Sequence, residues 1–390
     1  MIVSKAKKIL VLPGTDFLRA YAGTHYLIDE FHRMGVQLKI FIRSEKSMVE
    51  LYRSLPYDIK VWPYSVSQNP FIRKITNLCF QIVIFFEALA AKNVLTTEST
   101  YLRPLVLAKR LKPSLCLIQF CQELLLPEDY PQNKYAQVYG RYARVPDIVI
   151  DVEPHRAVVR KEKMGLVRDP FVLLNTMPLK NVAKPAPLGA LSRLAGIKLP
   201  DGIPIFLHAG GIGKEKPLER AIDAVALSKQ DVFFLAFCNG REAEILRLST
   251  YAESKLKPGM FCIRESVPRM ELMSAMHEAD IGIIDYAHSV EPTLNQKFCA
   301  PTKLFELMAH GVAVLGSKND SLRDIVEGQG VGKCAEDDGV DALAQALGKL
   351  LKSPADLAEM KKRGPSLFRE QYSYEQICAP VIRMLIPMLK

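Results

Sequence analysis

The segment His208-Ala-Gly-Gly-Ile-Gly-Lys-Glu-Lys216 places three glycines and two lysines within nine residues. Glycines let backbone amides approach an oxyanion closely, and a helix that starts just beyond adds partial positive charge. Gly210 and Gly211 would supply amides, and Lys214 and Lys216 would neutralise a phosphate. The segment is not a P-loop, because Glu215 follows Lys214 and His208 stands where the opening glycine is required. A tight turn carrying solvated lysines is the competing interpretation, and the segment alone leaves both open. A second segment, Cys299-Ala-Pro-Thr-Lys-Leu-Phe-Glu-Leu-Met-Ala-His-Gly-Val-Ala-Val314, reads as a loop ending at Pro301-Thr302 and a short helix to His310 capped by Gly311. The first-turn amides, at Thr302 and beyond, can receive a diphosphate. One turn further in, the Glu306 carboxylate can accept two hydrogen bonds from a ribose diol. Lys303 stands three positions earlier on the same face, a spacing that equally describes a surface ion pair worth about 0.2–0.5 kcal/mol.

Both segments lie where a strand hands over to a helix, in a chain whose hydrophobic runs alternate with amphipathic stretches. In the first half, strands are expected at Ile9 to Leu12, Gln37 to Ile42, Val94 to Thr96, Leu115 to Ile118 and Ile148 to Val152. Tyr21, Tyr26, Leu27 and Phe31 fall within a helix that Gly35 ends. The pattern restarts with strands at Ile205 to Ala209, Val232 to Phe237, Met260 to Ile263, Ile281 to Asp285 and Ala313 to Gly316. Pro217 opens a helix whose apolar positions Leu218, Ala221, Ile222 and Val225 share one face. Strands that alternate with helices imply parallel sheets covered on both faces, an α/β fold. Pro185, Pro187 and Pro200 mark a linker. The expected organisation is a domain over 1–180, a linker over 181–202, a second domain over 203–374, and a closing helix over 375–390 that packs back towards the first domain.

The run from Pro301 to Val314 resembles the nucleotide-sugar site of the retaining glycosyltransferases of family four (glycosyl transferases group 1), which have the GT-B fold. Other features fall in the matching order. The Gly210 to Lys216 loop resembles the family's phosphate loop, and Arg264-Glu265-Ser-Val-Pro268 the turn that holds the nucleobase. Ala279 to Asp285 resembles the strand entering the sugar loop, and Gly328 to Gly332 the next turn. In the first half, Ile118 to Glu123 stands where relatives carry a His-Glu pair, and Gly14-Thr15 where they have paired glycines. The resemblance implies two Rossmann-like domains with parallel sheets facing across a cleft. It also implies donor binding by Gly14, Gly210, Gly211, Arg264, Glu265, Pro301, Thr302, Lys303 and Glu306.

Two departures stand out. Relatives have two glutamates eight positions apart, and the position of the first is Phe298 here; Asn295, Gln296 or Lys297 would contact the sugar hydroxyls instead. The first-half histidine corresponds to about Gln122, with His25 and His155 as alternatives. The implied reaction moves a sugar from a nucleoside diphosphate to an acceptor hydroxyl with retention. Its main requirement is stabilisation of the leaving diphosphate. Lys216, Lys214, Glu306 and Asn295 are the catalytic candidates, and Asp16 and Glu123 would orient the acceptor. No metal or other cofactor is implied.

Composition narrows the setting. The 390 residues carry 52 Lys+Arg against 42 Asp+Glu, a net charge of +10, and 49% are hydrophobic. Disorder is excluded. The eight cysteines are scattered without a C-x-x-C pair, which points to a reducing cytoplasm. Residues 1–200 hold 29 Lys+Arg and 16 Asp+Glu, an excess of thirteen, so the first half carries the whole surplus. Ile9 to Leu12 is too short for a signal-peptide core of at least ~7 apolar residues. No basic-aromatic motif argues for nucleic acid. Phe71 to Phe86 mixes bulky apolar residues with Arg73 and Lys74. It is read first as a buried helix of the first sheet, and second as an interfacial helix docking on an anionic membrane where a lipid-linked acceptor waits. The expected partners are a UDP-, GDP- or other nucleotide sugar, a glycan or lipid-linked acceptor, and the inner face of a membrane. The competing functions are a nucleotide-sugar epimerase of the same fold and a homologue that binds without turnover, the latter favoured by Phe298.

Overall fold

The computed structural model describes residues 7–14, 22–44, 48–63, 69–213, 217–286 and 293–390. Its contacts divide the chain into two compact units. One comprises residues up to Asn175 together with Ile377–Lys390, and the other Thr176–Gln376.

The first unit is built on a seven-stranded sheet in the order β3-β2-β1-β4-β5-β6-β7. These strands are β1 (Lys8–Leu12), β2 (Gln37–Ser44), β3 (Asp58–Pro63), β4 (Asn93–Thr96), β5 (Cys116–Cys121), β6 (Ile148–Asp151) and β7 (Phe171–Val172). All the pairings are parallel. Every residue of β4, β5 and β6 is buried, as expected where helices cover both faces of a parallel sheet. Residues 377–390 close the unit. Asn93 Nδ2 donates to the carbonyls of Lys8 and Lys390, and its Oδ1 accepts from the Lys390 amide at 2.7 Å.

The second unit holds a six-stranded parallel sheet in the order β10-β9-β8-β11-β12-β13. Its strands are β8 (Ile205–Gly211), β9 (Phe233–Asn239), β10 (Phe261–Glu265), β11 (Ile281–Ile284), β12 (Ala313–Gly316) and β13 (Gly332–Cys334). The core fills with Phe206, Ile222, Phe234, Ile283, Leu315 and Leu347. In both sheets the order reverses beside the first strand, where ligands of open α/β sheets bind beyond the carboxyl ends of the strands. The Pro-rich stretch 181–202 carries a helix, Ala190–Ala195, whose Ala190 amide donates to Glu278 at 2.8 Å.

Three strands were not expected from the sequence: β3, β7 and β13. All three lie at sheet edges, and β7 and β13 have only two and three residues. The reading of Phe71 to Phe86 as a buried helix also needs correction. The helix Pro70–Ala90 buries Phe80, Ile84 and Ala88, whereas Phe71, Leu78 and Phe86 are 69%, 61% and 62% exposed. No described helix is long and apolar enough to cross a membrane.

Candidate active site

In the second unit, β8 runs into the glycine turn, still paired with β9 as far as Gly211 opposite Asn239. Gly210 has φ +140°, a conformation that favours glycine, and a Cβ there would lie 2.9 Å from Lys303 Nζ, so the end of the lysine rests against the strand end. Burial pushes the nearby Cys238 thiol up to about 12, with Lys303 pulling the other way. The structure therefore brings Gly210 and Lys303, 93 residues apart in sequence, to one point. Lys214 and Lys216 lie outside the described residues.

Lys303 belongs to the helix Thr302–Ala309, whose N-cap is Pro301 with no side-chain cap. The Leu304 amide donates to the Pro301 carbonyl at 3.2 Å, and the partial positive charge of a helix start suits an anion. The Glu306 carboxylate does not pair with Lys303, the ion pair that spacing alone suggested. It pairs with Arg269, which donates through Nε at 2.9 Å and also through Nη2. The arginine is half exposed and the glutamate 15% exposed. Arg269 was missed because nothing local marks it; it opens the helix Arg269–Ala275 and meets Glu306 only in the fold.

At the same helix's other end, His310 is buried and its Nδ1 lies 2.8 Å from the Glu306 carbonyl. Burial holds its pKa below the ordinary 6.5, outweighing the bond to that carbonyl.

Asn295 lies in the short helix Leu294–Lys297. Its neighbour Gln296 is committed to a capping box with Thr293, so it is not a spare contact for sugar hydroxyls. Phe298 is buried, with Lys297 over its ring at 5.5 Å. Arg264 and Glu265 end β10 as expected, but Arg264 Nε donates to the Ala195 carbonyl at 3.2 Å and so also anchors the preceding helix. Arg220 Nε holds Asp285 at 2.8 Å where β11 ends.

In the first unit, Gly14 corrects an expectation. Its amide already donates to Thr97 Oγ1 at 3.0 Å and its carbonyl accepts from Tyr101, so the amide is not offered to a diphosphate. Asp16 lies outside the described residues. Glu123 sits in the loop after β5, 3.7 Å from Arg156, and that loop is pinned by Arg156 and Arg160 bonding to the carbonyls of Gln122 and Glu123. Gln122 donates to Thr24 at 2.6 Å. His25 and His155 face carboxylates, Asp29 at 3.4 Å and Glu153 at 2.7 Å. Gly14 and Glu123 line one cavity of about 130 Å³. Among the described residues, no cluster of three or more His, Cys, Asp or Glu side chains could hold a metal.

Two parallel sheets of this order, each with its strand-end site, define the class, and the GT-B fold is confirmed by comparison with solved structures. A glycosyltransferase from Rickettsia africae aligns with TM-score 0.74 at 14% identity, over 99% of this chain and all of that one. Sucrose-phosphate synthase from Thermosynechococcus elongatus aligns with TM-score 0.73 at 15% identity, over 98% of this chain and 99% of that one. HepE from Anabaena, in complex with UDP and glucose, aligns with TM-score 0.73 at 14% identity, over 98% of this chain and all of that one. Residues 195–367 match the family model described as "Glycosyl transferases group 1", a span that falls within the second unit. No curated protein sequence matches the chain.

Proposed function

We propose that this protein is a glycosyltransferase of group 1 that moves the sugar of a nucleoside-diphosphate sugar to an acceptor hydroxyl, with retention and without a metal. The observation that carries the reading is Lys303 seated against Gly210, at the strand end where the glycine turn and the start of the Thr302–Ala309 helix would meet one diphosphate. Charge developing on that leaving group is the main obstacle to transfer, and preorganised donors lower it without reorganisation. Lys303, the turn amides and the lysines at 214 and 216 fill that role. Glu306 takes the ribose diol once Arg269 swings aside, and Arg264 and Glu265 border the base. Asn295 contacts the sugar in place of the glutamate whose position Phe298 occupies, and Asp16 and Glu123 orient the acceptor. HepE was crystallised with UDP, so UDP-sugars are the first donors to try.

The acceptor is read as a glycan or lipid-linked sugar at the inner face of an anionic membrane. The exposed stripe of Phe71, Ile75, Leu78, Ile82 and Phe86 follows one face of the Pro70–Ala90 helix, with Arg73 and Lys74 exposed beside it. Its first acidic residue, Glu87, is held by Lys39 and Lys60. An apolar face with only cations near its leading end is suited to an anionic bilayer.

Thermal shift against UDP-, GDP- and ADP-sugars tests the donor: a ligand at about 100 times its Kd stabilises by about 2.7 kcal/mol. Transfer to an acceptor panel then separates a transferase from a protein that binds without turnover, and incubation with donor alone exposes an epimerase. Absence of stabilisation by every nucleotide sugar defeats the proposal.

A further inference from the structure

Arg220 joins three loops at one end of the second sheet. It stands on the first turn of the helix Leu218–Ser228, which follows the glycine turn. Its Nε donates to Asp285, the residue after β11, at 2.8 Å. Its Nη1 donates at 2.8 Å to the Asp338 carbonyl, between β13 and the helix Val340–Lys352. Gly282 of β11 pairs with Leu207 of β8, so the register carried forward sets Asp285 level with Gly210, one strand spacing of about 4.8 Å away. Lys303 reaches that same strand end from another element. The sheet order also reverses beside β8, between β9 and β11, and ligands of open α/β sheets bind at such a reversal.

A brace would need only the two bonds already made. The third nitrogen, Nη2, has no partner among the described residues and is not closed off from solvent; the side chain is 18% exposed. Arginine presents its donors in a rigid fork, so anchoring Nε and Nη1 also sets the direction of Nη2. Asp285 is engaged at Nε, and the neighbouring Glu219 pairs with Arg247. A preset guanidinium about one strand from Lys303 suits a ligand with two adjacent anionic groups. We propose that Arg220 is a further contact to the donor's diphosphate, made through Nη2, with Asp285 and the Asp338 carbonyl positioning it. The inference rests on the transferase reading and adds a residue to its diphosphate site.

Isothermal titration of the full chain with UDP, GDP and ADP tests this, beside ligand-observed NMR with the matching nucleosides. The diphosphate that the parent binds should bind about tenfold or more weakly to Arg220→Met. Its nucleoside, which lacks the phosphates, should bind both proteins alike. Arg220→Lys keeps the charge without the fork and should fall between them. Arg220→Met leaves Asp285 without its cation and so lowers stability, which makes Asp285→Asn the second variant. Its amide oxygen still accepts from Arg220 Nε, and losing a negative charge beside the diphosphate should tighten the nucleotide about twofold or more. A residue that merely braced the loops would give no such gain. Three results overturn the proposal: Arg220→Met keeps the Kd within about twofold of the parent, the nucleoside weakens by the same factor as the diphosphate, or Asp285→Asn binds the diphosphate more weakly. A parent that binds no nucleoside diphosphate defeats the transferase reading and this inference with it. A binding parent with unaltered variants defeats this inference alone.

Discussion

Replacing Glu306 by alanine should abolish most transfer while leaving the fold intact. A hydrogen bond to a charged group contributes about 1.5–3 kcal/mol, and a ribose diol would make two. Against that stands the cost of displacing Arg269, whose pairing with Glu306 is half exposed and so worth no more than about 1 kcal/mol. The balance, about 3 kcal/mol, corresponds to a fall of roughly two orders of magnitude in kcat/KM for the donor. Arg269→Ala should act in the opposite direction, because it removes the competitor: donor affinity rises by up to about fivefold. Neither change empties a buried site, so each should shift Tm by no more than about 2–4 °C. Steady-state kinetics with varied nucleotide sugar, alongside thermal melts, reads all these quantities. The reasoning fails if Glu306→Ala keeps kcat/KM within about threefold of the parent, or if Arg269→Ala loses as much as Glu306→Ala.

Gly210→Ala should cripple donor binding with modest loss of stability, because the new methyl would both strain φ +140° and displace Lys303 Nζ; isothermal titration with UDP checks this. Gly332→Ala should be damaging for a different reason: its Cβ would lie 1.9 Å from the Val314 carbonyl oxygen, so β13 must separate from β12. A loss of about 3 kcal/mol or more in urea unfolding is expected. His310 carries a pKa depressed by burial, so the unfolded chain binds the proton more readily. Its contribution to stability is complete above about 6.5 and is lost as pH falls through the lower folded value, and His310→Gln should flatten that acid limb in melts between pH 7 and 5. Leu78→Asp with Ile82→Asp should reduce sedimentation with phosphatidylglycerol vesicles about tenfold or more, with no change in melting temperature because both side chains are exposed.

The buried parallel strands could be read from the sequence because their apolar runs are nearly continuous, as in β5 and β9. β3 alternates polar and apolar residues, and Gly332-Lys-Cys334 is too short and too polar to stand out, so these edge strands escaped detection whereas the more apolar edge strand β10 did not. The Pro70–Ala90 helix was misjudged for a subtler reason: it is apolar on both sides, and periodicity cannot say which side meets the sheet. At the candidate site, residues on one local segment, such as Gly210 or Lys303, announced themselves by type and spacing. Pairings between distant segments did not. Arg269 with Glu306, and Arg160 with Asp151 beside Gln119, exist only because the topology brings strand ends together. The commitment of the Gly14 amide to Thr97 was hidden in the same way.

Asn93 joins β1 and β4 to residues 377–390, and that arrangement sets an order of events during synthesis. The second unit lies entirely between two parts of the first. A ribosome therefore releases every residue of the second unit before it supplies residues 377–390, the segment that Asn93 binds. Domains usually mature in the order in which they emerge. Here the unit begun first is finished last, and its large parallel sheet waits partly uncovered until residues 377–390 arrive to seal it.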